Sequence, residues 1–398
     1  MKQLSQDARV IGVIGVAHGV SHFFHLILVA LFPWIRPAFA LSYAELGLLM
    51  TVFFVVSGIG QALAGFVVDR VGALKVLMAG LACLALSALV LAGAASYPML
   101  LLGSLLAGLG NSVFHPADYS LLNHHVSKPN LAHAFSVHGI SGNLGWGSAP
   151  LLLGAVAAVA GWRVALLTAA ALPLLMLVVL AAERARLEFA PVAHAAGGQG
   201  GALAFLRLPA VWMSFGFFFL TAAALSGIQG FASSALVSTY GISLATATAA
   251  YSGYMFASAG GMVVGGFLAA RARSHDRTIA GAFTLAALLA LLLASATVPA
   301  WSVVPLLAVI GFASGVAGPS RDLLIRAAAP RHATGRVYGV VYSGLDSGLA
   351  LGPLAFGLIM DGGHPHWVFI GVALFQFLAI ATAVGVGSEG RAAAVQKA

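Results

Sequence analysis

Twelve stretches of this 398-residue chain are apolar for about 20 residues or more, and few architectures survive that fact. They cover roughly 10–36, 44–68, 74–95, 98–121, 131–158, 162–182, 209–237, 244–270, 278–297, 300–325, 335–359 and 366–387. Each can cross about 30 Å of hydrocarbon as an α-helix, the conformation that satisfies its own backbone where water is absent. Composition agrees: charged residues make up 8% of the chain, against roughly a quarter in soluble proteins. The expectation is an all-α integral membrane protein of twelve transmembrane helices.

A shift of 203 positions superposes one part of the sequence on another. It lays Pro116 on Pro319, Gly145 on Gly348, Pro150 on Pro353 and Gly154 on Gly357. The same offset serves two consecutive apolar segments and the polar loop between them, which points to two pseudo-symmetric six-helix halves, an arrangement common in transporters. The expected boundaries are an N-terminal bundle over 1–182, a linker rich in Gly, Ala and charge over 183–208, and a C-terminal bundle over 209–398. A short helix around Glu183 to Glu188 is compatible with the start of that linker.

Charge gives the orientation. With the N-terminus in the cytoplasm, Lys2, Arg9, Arg70, Lys75, Lys128, Arg184, Arg186 and the other loop cations fall inside, and only Arg36 and Arg163 fall outside. Both termini are therefore expected on the cytoplasmic side of the inner membrane. The net charge of +8 is scattered over short loops rather than gathered in a patch, so nucleic acid is not expected as a partner. MKQLSQDAR is short and polar, and the apolar run after it reads as the first span rather than a signal peptide. The one cysteine, Cys83, forms no internal disulfide and implies no redox or thiolate-metal site. There is no phosphate-binding Gly-x-x-x-x-Gly-Lys-Ser/Thr loop, no nucleophile elbow and no zinc-protease motif, so neither ATP nor a cofactor nor an enzyme activity is expected. Nothing in the spans demands a second copy, and a monomer is the expectation.

The loop after the second segment reads GFVVDRVGALK. Gly65, Asp69, Arg70 and Gly72 fall at the spacing of the major facilitator superfamily signature, with Lys75 as its following cation, and the chain resembles that superfamily over its whole length. The resemblance implies the major facilitator fold, alternating access, and a gating role for these four residues. Locally, the glycines suit close helix approach, and Asp69 and Arg70 at a helix end suit charge and dipole contacts. A narrower similarity is to the fosmidomycin-resistance group, carried by His22, Phe23 and Phe24, by Phe114, His115 and Pro116, and by Gly142, Asn143, Gly145 and Pro150. It implies an efflux transporter, a proton antiporter in type. The chain departs from that group where His25 and Leu26 replace an expected Asn-Asp, and Ser104 stands where many drug exporters carry arginine.

Several polar side chains lie in the apolar segments. His18, His22 and His25, spaced i, i+4, i+7, share one face of the first helix, roughly 12 to 22 Å into the membrane. Such a trio can carry protons, bind an anion when charged, ligate a metal when neutral, or simply bond neighbouring helices. His115 and Asp118 lie one turn apart, and the repeat places Asp118 opposite Arg321. Either these two pair across a cavity and separate during transport, or each is neutralised locally, Asp118 by His115 or His138 and Arg321 by Asp322. Asp346 sits mid-span opposite Asn143, as a proton carrier or as a packing residue. Gln229 is a candidate pocket residue. The expected substrate-binding set is thus His18, His22, His25, His115, Gln229 and Arg321. Proton coupling is expected of Asp346, His22, His138 and Asp118, and gating of Asp118, Arg321 and Asp322 besides the signature residues. No metal site is expected.

The function these residues suggest is proton-coupled movement of a small anionic or amphiphilic organic solute, with export favoured. Two alternatives stay open: proton-coupled uptake of a carboxylate, and transition-metal or metal-chelate transport through the first-helix histidines. The latter is weakened by the lack of carboxylates or cysteines beside the trio.

Overall fold

The computed structural model describes residues 2–189, 209–272, 274–328 and 334–395. Its helices are α1 (Lys2–His25), α2 (Phe32–Phe39), α3 (Tyr43–Val71), α4 (Ala73–Ala92), α5 (Tyr97–Asn111), α6 (Phe114–His125), α7 (Leu131–Ala160), α8 (Trp162–Ala182), α9 (Arg184–Leu187), α10 (Pro209–Tyr240), α11 (Leu244–Arg271), α12 (His275–Ala294), α13 (Val303–Ala328), α14 (Thr334–Asp361) and α15 (Trp367–Val395). No strand occurs among the described residues. Eleven spans are long and apolar enough to cross a membrane, and α1 with α2 makes a twelfth, bent by 47°.

The first apolar segment is therefore not one rod. Pro33 lacks the N–H that would donate to Val29 and its ring crowds that carbonyl, so the helix cannot run straight through. The backbone tightens instead: Leu26 N donates to Phe23 O at 3.2 Å and Ile27 N to Phe24 O at 3.3 Å, before a 3₁₀ turn over Val29–Leu31 leads into α2. Pro116 does the same to the fourth span, where α5 ends at Asn111 and α6 begins at Phe114. Its repeat equivalent, Pro319, lies inside an unbroken α13.

The chain divides into two compact units, Met1–Ser42 with Leu48–Ala196, and Tyr43–Gly47 with Gly197–Ala398. In the first, α1 packs on α7, and α4 packs on α5 and α8. In the second, α10 packs on α14 and α15, α11 on α13, and α12 on α13 and α15. Asp361, within the second unit, accepts hydrogen bonds from the backbone N–H groups of Tyr43 and Ala44, both at 2.8 Å. The repeat shows in matching close contacts. A Cβ on Gly145 would stand 2.3 Å from Gly19 O, and one on Gly348 would stand 2.3 Å from Phe219 O. Only glycine lets α7 lie this near α1, and α14 this near α10.

At the ends of the first unit, polar contacts tie helices together. Arg9 of α1 donates to Glu183 through Nε at 3.1 Å and also through Nη2, and Arg186 donates to the other carboxylate oxygen of Glu183. Glu188 pairs with Arg184 at 2.8 Å and with Lys75 at 3.6 Å. Arg163 donates from Nη1 to Ala92 O at 3.0 Å and Ala94 O at 2.9 Å, and stacks 4.1 Å over the ring of Trp162. It thereby satisfies carbonyls that the end of α4 leaves without helical partners. The expected helix at the start of the linker appears as the single turn α9, and residues 190–208 of the linker lie outside the described residues.

Candidate functional site

The polar residues of the first unit converge where α1, α6 and α7 meet. His18 on α1 and His138 on α7 stack with ring centroids 3.4 Å apart and 23° between planes. Both donate to the same atom of α6: His18 Nδ1 lies 3.2 Å, and His138 Nε2 3.1 Å, from Asp118 Oδ2. Asp118 is 0% exposed, His18 2% and His138 3%, and Asp118 Oδ1 has no hydrogen-bond partner among the described residues. Helical periodicity explains the reach. Asp118 and His115 lie one turn apart on α6, so they share its face.

His22 lies one turn along α1 from His18, its ring 4.4 Å from that of His18 and 4.3 Å from Trp146. Neither of its ring nitrogens has a partner among the described residues. A Cβ on Gly142 would stand 2.6 Å from His22 Nδ1, so that glycine makes the room the imidazole occupies. His115 Nδ1 donates to Gln61 Oε1 at 3.0 Å, and its ring lies 5.2 Å from His18. His25 stands at the edge of the cluster: its Nε2 donates to Asn111 Oδ1 at 2.9 Å. Asn111 also accepts from Ser21 Oγ and donates to Ser57 Oγ at 2.8 Å.

The structure thus gathers His18, His22, His115, Asp118 and His138, with His25 stacked on His22 at 4.6 Å and bonded to the Asn111 amide. Of the two local pairings weighed for Asp118, the one with His138 forms, joined by His18. Asn111, Gln61 and Trp146 were not singled out by sequence. Asn111 and Gln61 were detectable as isolated amides in apolar runs; Trp146 carries no such signal. In the second unit, the Arg321 guanidinium lies 5.0 Å from the Phe218 ring centroid. Gln229 is 4% exposed, with both side-chain heteroatoms unpartnered among the described residues. Asp346 is partly buried on α14, and the side chain of Asp322 lies outside the described residues. Asp69 and Arg70 are exposed at the end of α3. Gly72 adopts φ +99°, a conformation that side chains resist, which gives a local reason for glycine there. No atom lies within 4 Å of a Cβ position at Gly65, so the close helix approach expected there is not what this glycine provides among the described residues.

A family model described as Major Facilitator Superfamily matches residues 14–348, and again 215–394. The chain belongs to the Major Facilitator Superfamily. Membership in this family of transporters implies a membrane environment and a small-molecule substrate. Among curated relatives, a fosmidomycin resistance protein of Escherichia coli (strain K12) is 30% identical over 150 residues, 37% of this chain and 36% of that protein. An uncharacterised MFS-type transporter of Bacillus subtilis (strain 168) is 28% identical over 140 residues, 35% of this chain and 34% of that protein. The matched stretches span about a third of these relatives, the narrower similarity expected from the His-Phe-Phe and Phe-His-Pro residues. The crystal structure of a bacterial homologue of the human lysosomal transporter Spinster, inward-facing and occupied, superposes with a TM-score of 0.75 at 14% identity, covering 98% of this chain and 97% of that one. An inward-facing, unoccupied structure gives 0.72 at 16% identity, covering 97% and 96%. These likenesses establish the superfamily's all-α fold.

Proposed function

We propose that this superfamily member is a proton-coupled secondary transporter that exports a small anionic or amphiphilic organic solute by alternating access. It stands in the cytoplasmic membrane with both termini inside. The observation that carries the reading is His22, an imidazole buried mid-span with both ring nitrogens unpartnered among the described residues. A buried polar group left without a hydrogen bond costs about 1–3 kcal/mol, and in a transporter a solute can supply the missing bond. His18, His25 and His115 extend that polar surface in the first unit, and Gln229 and Arg321 offer an amide and a guanidinium in the second. Guanidinium binds carboxylate or phosphonate through two parallel hydrogen bonds. Asp346 is the proton carrier, as a carboxylate set among apolar helices. Export is favoured because a similar stretch occurs in a protein named for fosmidomycin resistance.

Purified protein in proteoliposomes with a pH-sensitive dye inside tests this against a panel of organic anions and cationic compounds. The expected result is a solute-dependent pH change that Asp346→Asn abolishes and His22→Ala weakens at least about tenfold. A solute that crosses without moving protons would overturn the coupling.

A further inference from the structure

We infer that His18, Asp118 and His138 form a binding site for a divalent transition-metal ion of the zinc, cobalt and nickel class. The proposal goes beyond the transport reading and does not depend on it. The first-helix trio alone lacks an oxygen ligand. The fold replaces it with a better set, drawing one residue from each of α1, α6 and α7.

Three observations carry the assignment. His18, Asp118 and His138 each offer a ligand atom within 4.8 Å of those of the other two. The two nitrogen-to-oxygen separations, 3.2 and 3.1 Å, are hydrogen-bond distances, and an ion entering here displaces the bonded protons and spreads the two stacked rings, whose centroids lie 3.4 Å apart. With ligands about 2.1 Å from an ion, neighbouring donors stand about 3.0 Å apart in an octahedron and about 3.4 Å in a tetrahedron. Second, the charge is unbalanced. Asp118 is fully buried, and among the described residues its side chain meets only imidazoles, with no lysine or arginine paired to it. An ionised carboxylate is expensive at such a depth, and a divalent cation bound by neutral imidazoles compensates it directly. Third, donors remain for a second shell or an alternative set. Among the described residues, both ring nitrogens of His22 and Oδ1 of Asp118 are unpartnered, and His18, His22 and His115 also place a donor each within 4.8 Å of one another. The two sets share His18.

Two imidazoles and one carboxylate suit late first-row divalent ions and are poor ligands for calcium or magnesium. Three protein ligands also leave a coordination position for water or an anion.

The test is titration of the tag-free, detergent-solubilised full chain with Co2+, followed by visible absorption and by metal analysis after desalting. The expected result is one Co2+ per chain, with affinity falling at least about tenfold in Asp118→Asn and in His138→Ala and unchanged when His364 and His366 at the α14–α15 turn are both replaced by alanine. Absence of saturable binding, or wild-type affinity in both site variants, overturns the proposal. Should those variants fail to elute as folded protein, cobalt-edge X-ray absorption on the Co2+-loaded wild-type chain decides. A first shell at about 2.0–2.2 Å carrying imidazole scattering supports the site, and a shell without imidazole overturns it. None of these readouts involves transport, so failure here leaves the proton-coupling test standing, and the reverse also holds.

Discussion

Gly142 and Gly145 lie three residues apart on α7 yet meet different parts of α1. Gly145 faces backbone, the Gly19 carbonyl, whereas Gly142 faces the His22 ring. Side chains swing more readily than backbone, so the two alanine variants are expected to fail differently. Gly145→Ala forces α1 and α7 apart, with a loss of about 1–3 kcal/mol typical of overpacking, read as a lower melting temperature in detergent. Gly142→Ala moves mainly the imidazole and lowers solute-dependent proton movement with a smaller stability loss. The opposite ranking would mean that His22 is not held by α7. At this scale the histidine trio was legible, because a shared helical face follows from spacing alone. That His25, while stacked on His22, also bonds Asn111, 86 positions away, was not legible, since no local signal pairs an imidazole with one amide over another. The convergence of His18 and His138 on a single Asp118 oxygen was equally hidden, for it depends on how α1, α6 and α7 pack.

Among the helices, the first span and the last turn of the first unit behave as linked ends, because Arg9 of α1 grips Glu183 just beyond α8. The guanidinium of Arg9, and then that of Arg186, hold the Glu183 carboxyl below the usual carboxylate range, while partial desolvation opposes them. The sign follows from linkage. A carboxyl depressed in the folded state contributes its stability above its ordinary pKa near 4, and loses it as the pH falls through the folded value. Glu183→Gln is therefore expected to lower the melting temperature at about pH 7, with the gap to wild type closing toward about pH 3. A gap of equal size at both ends would assign Glu183 to packing instead. Twelve spans were readable from apolar length. The division of the first into α1 and α2 was written in Pro33 but masked by an apolar run that continues on both sides of it.

Across the molecule, the duplication kept its scaffold and lost its chemistry. The offset of 203 that matches Gly145 with Gly348 places Thr221 at the position of His18, Leu225 at that of His22, Arg321 at that of Asp118 and Val341 at that of His138. Close helix approach is thus preserved in both units, while the cluster of imidazoles belongs to the first. Sequence displayed the repeat because glycine and proline mark backbone needs; it could not display which half would gather polar groups, since that depends on packing. The orientation is open to a direct check. In a Cys83→Ala background, a cysteine replacing Trp301, 78% exposed between α12 and α13, is expected to react with an impermeant thiol reagent in intact cells. A cysteine replacing Arg70 at the end of α3 is expected to react only after lysis, and the reverse pattern would invert the topology. Arg163 bears on the same question. It is one of two cations expected on the outer face, and its guanidinium is occupied with the carbonyls of Ala92 and Ala94 and the face of Trp162. Its positive charge is also a structural fastener, so anyone redesigning the insertion of this protein by relocating that cation would leave the end of α4 without its donor.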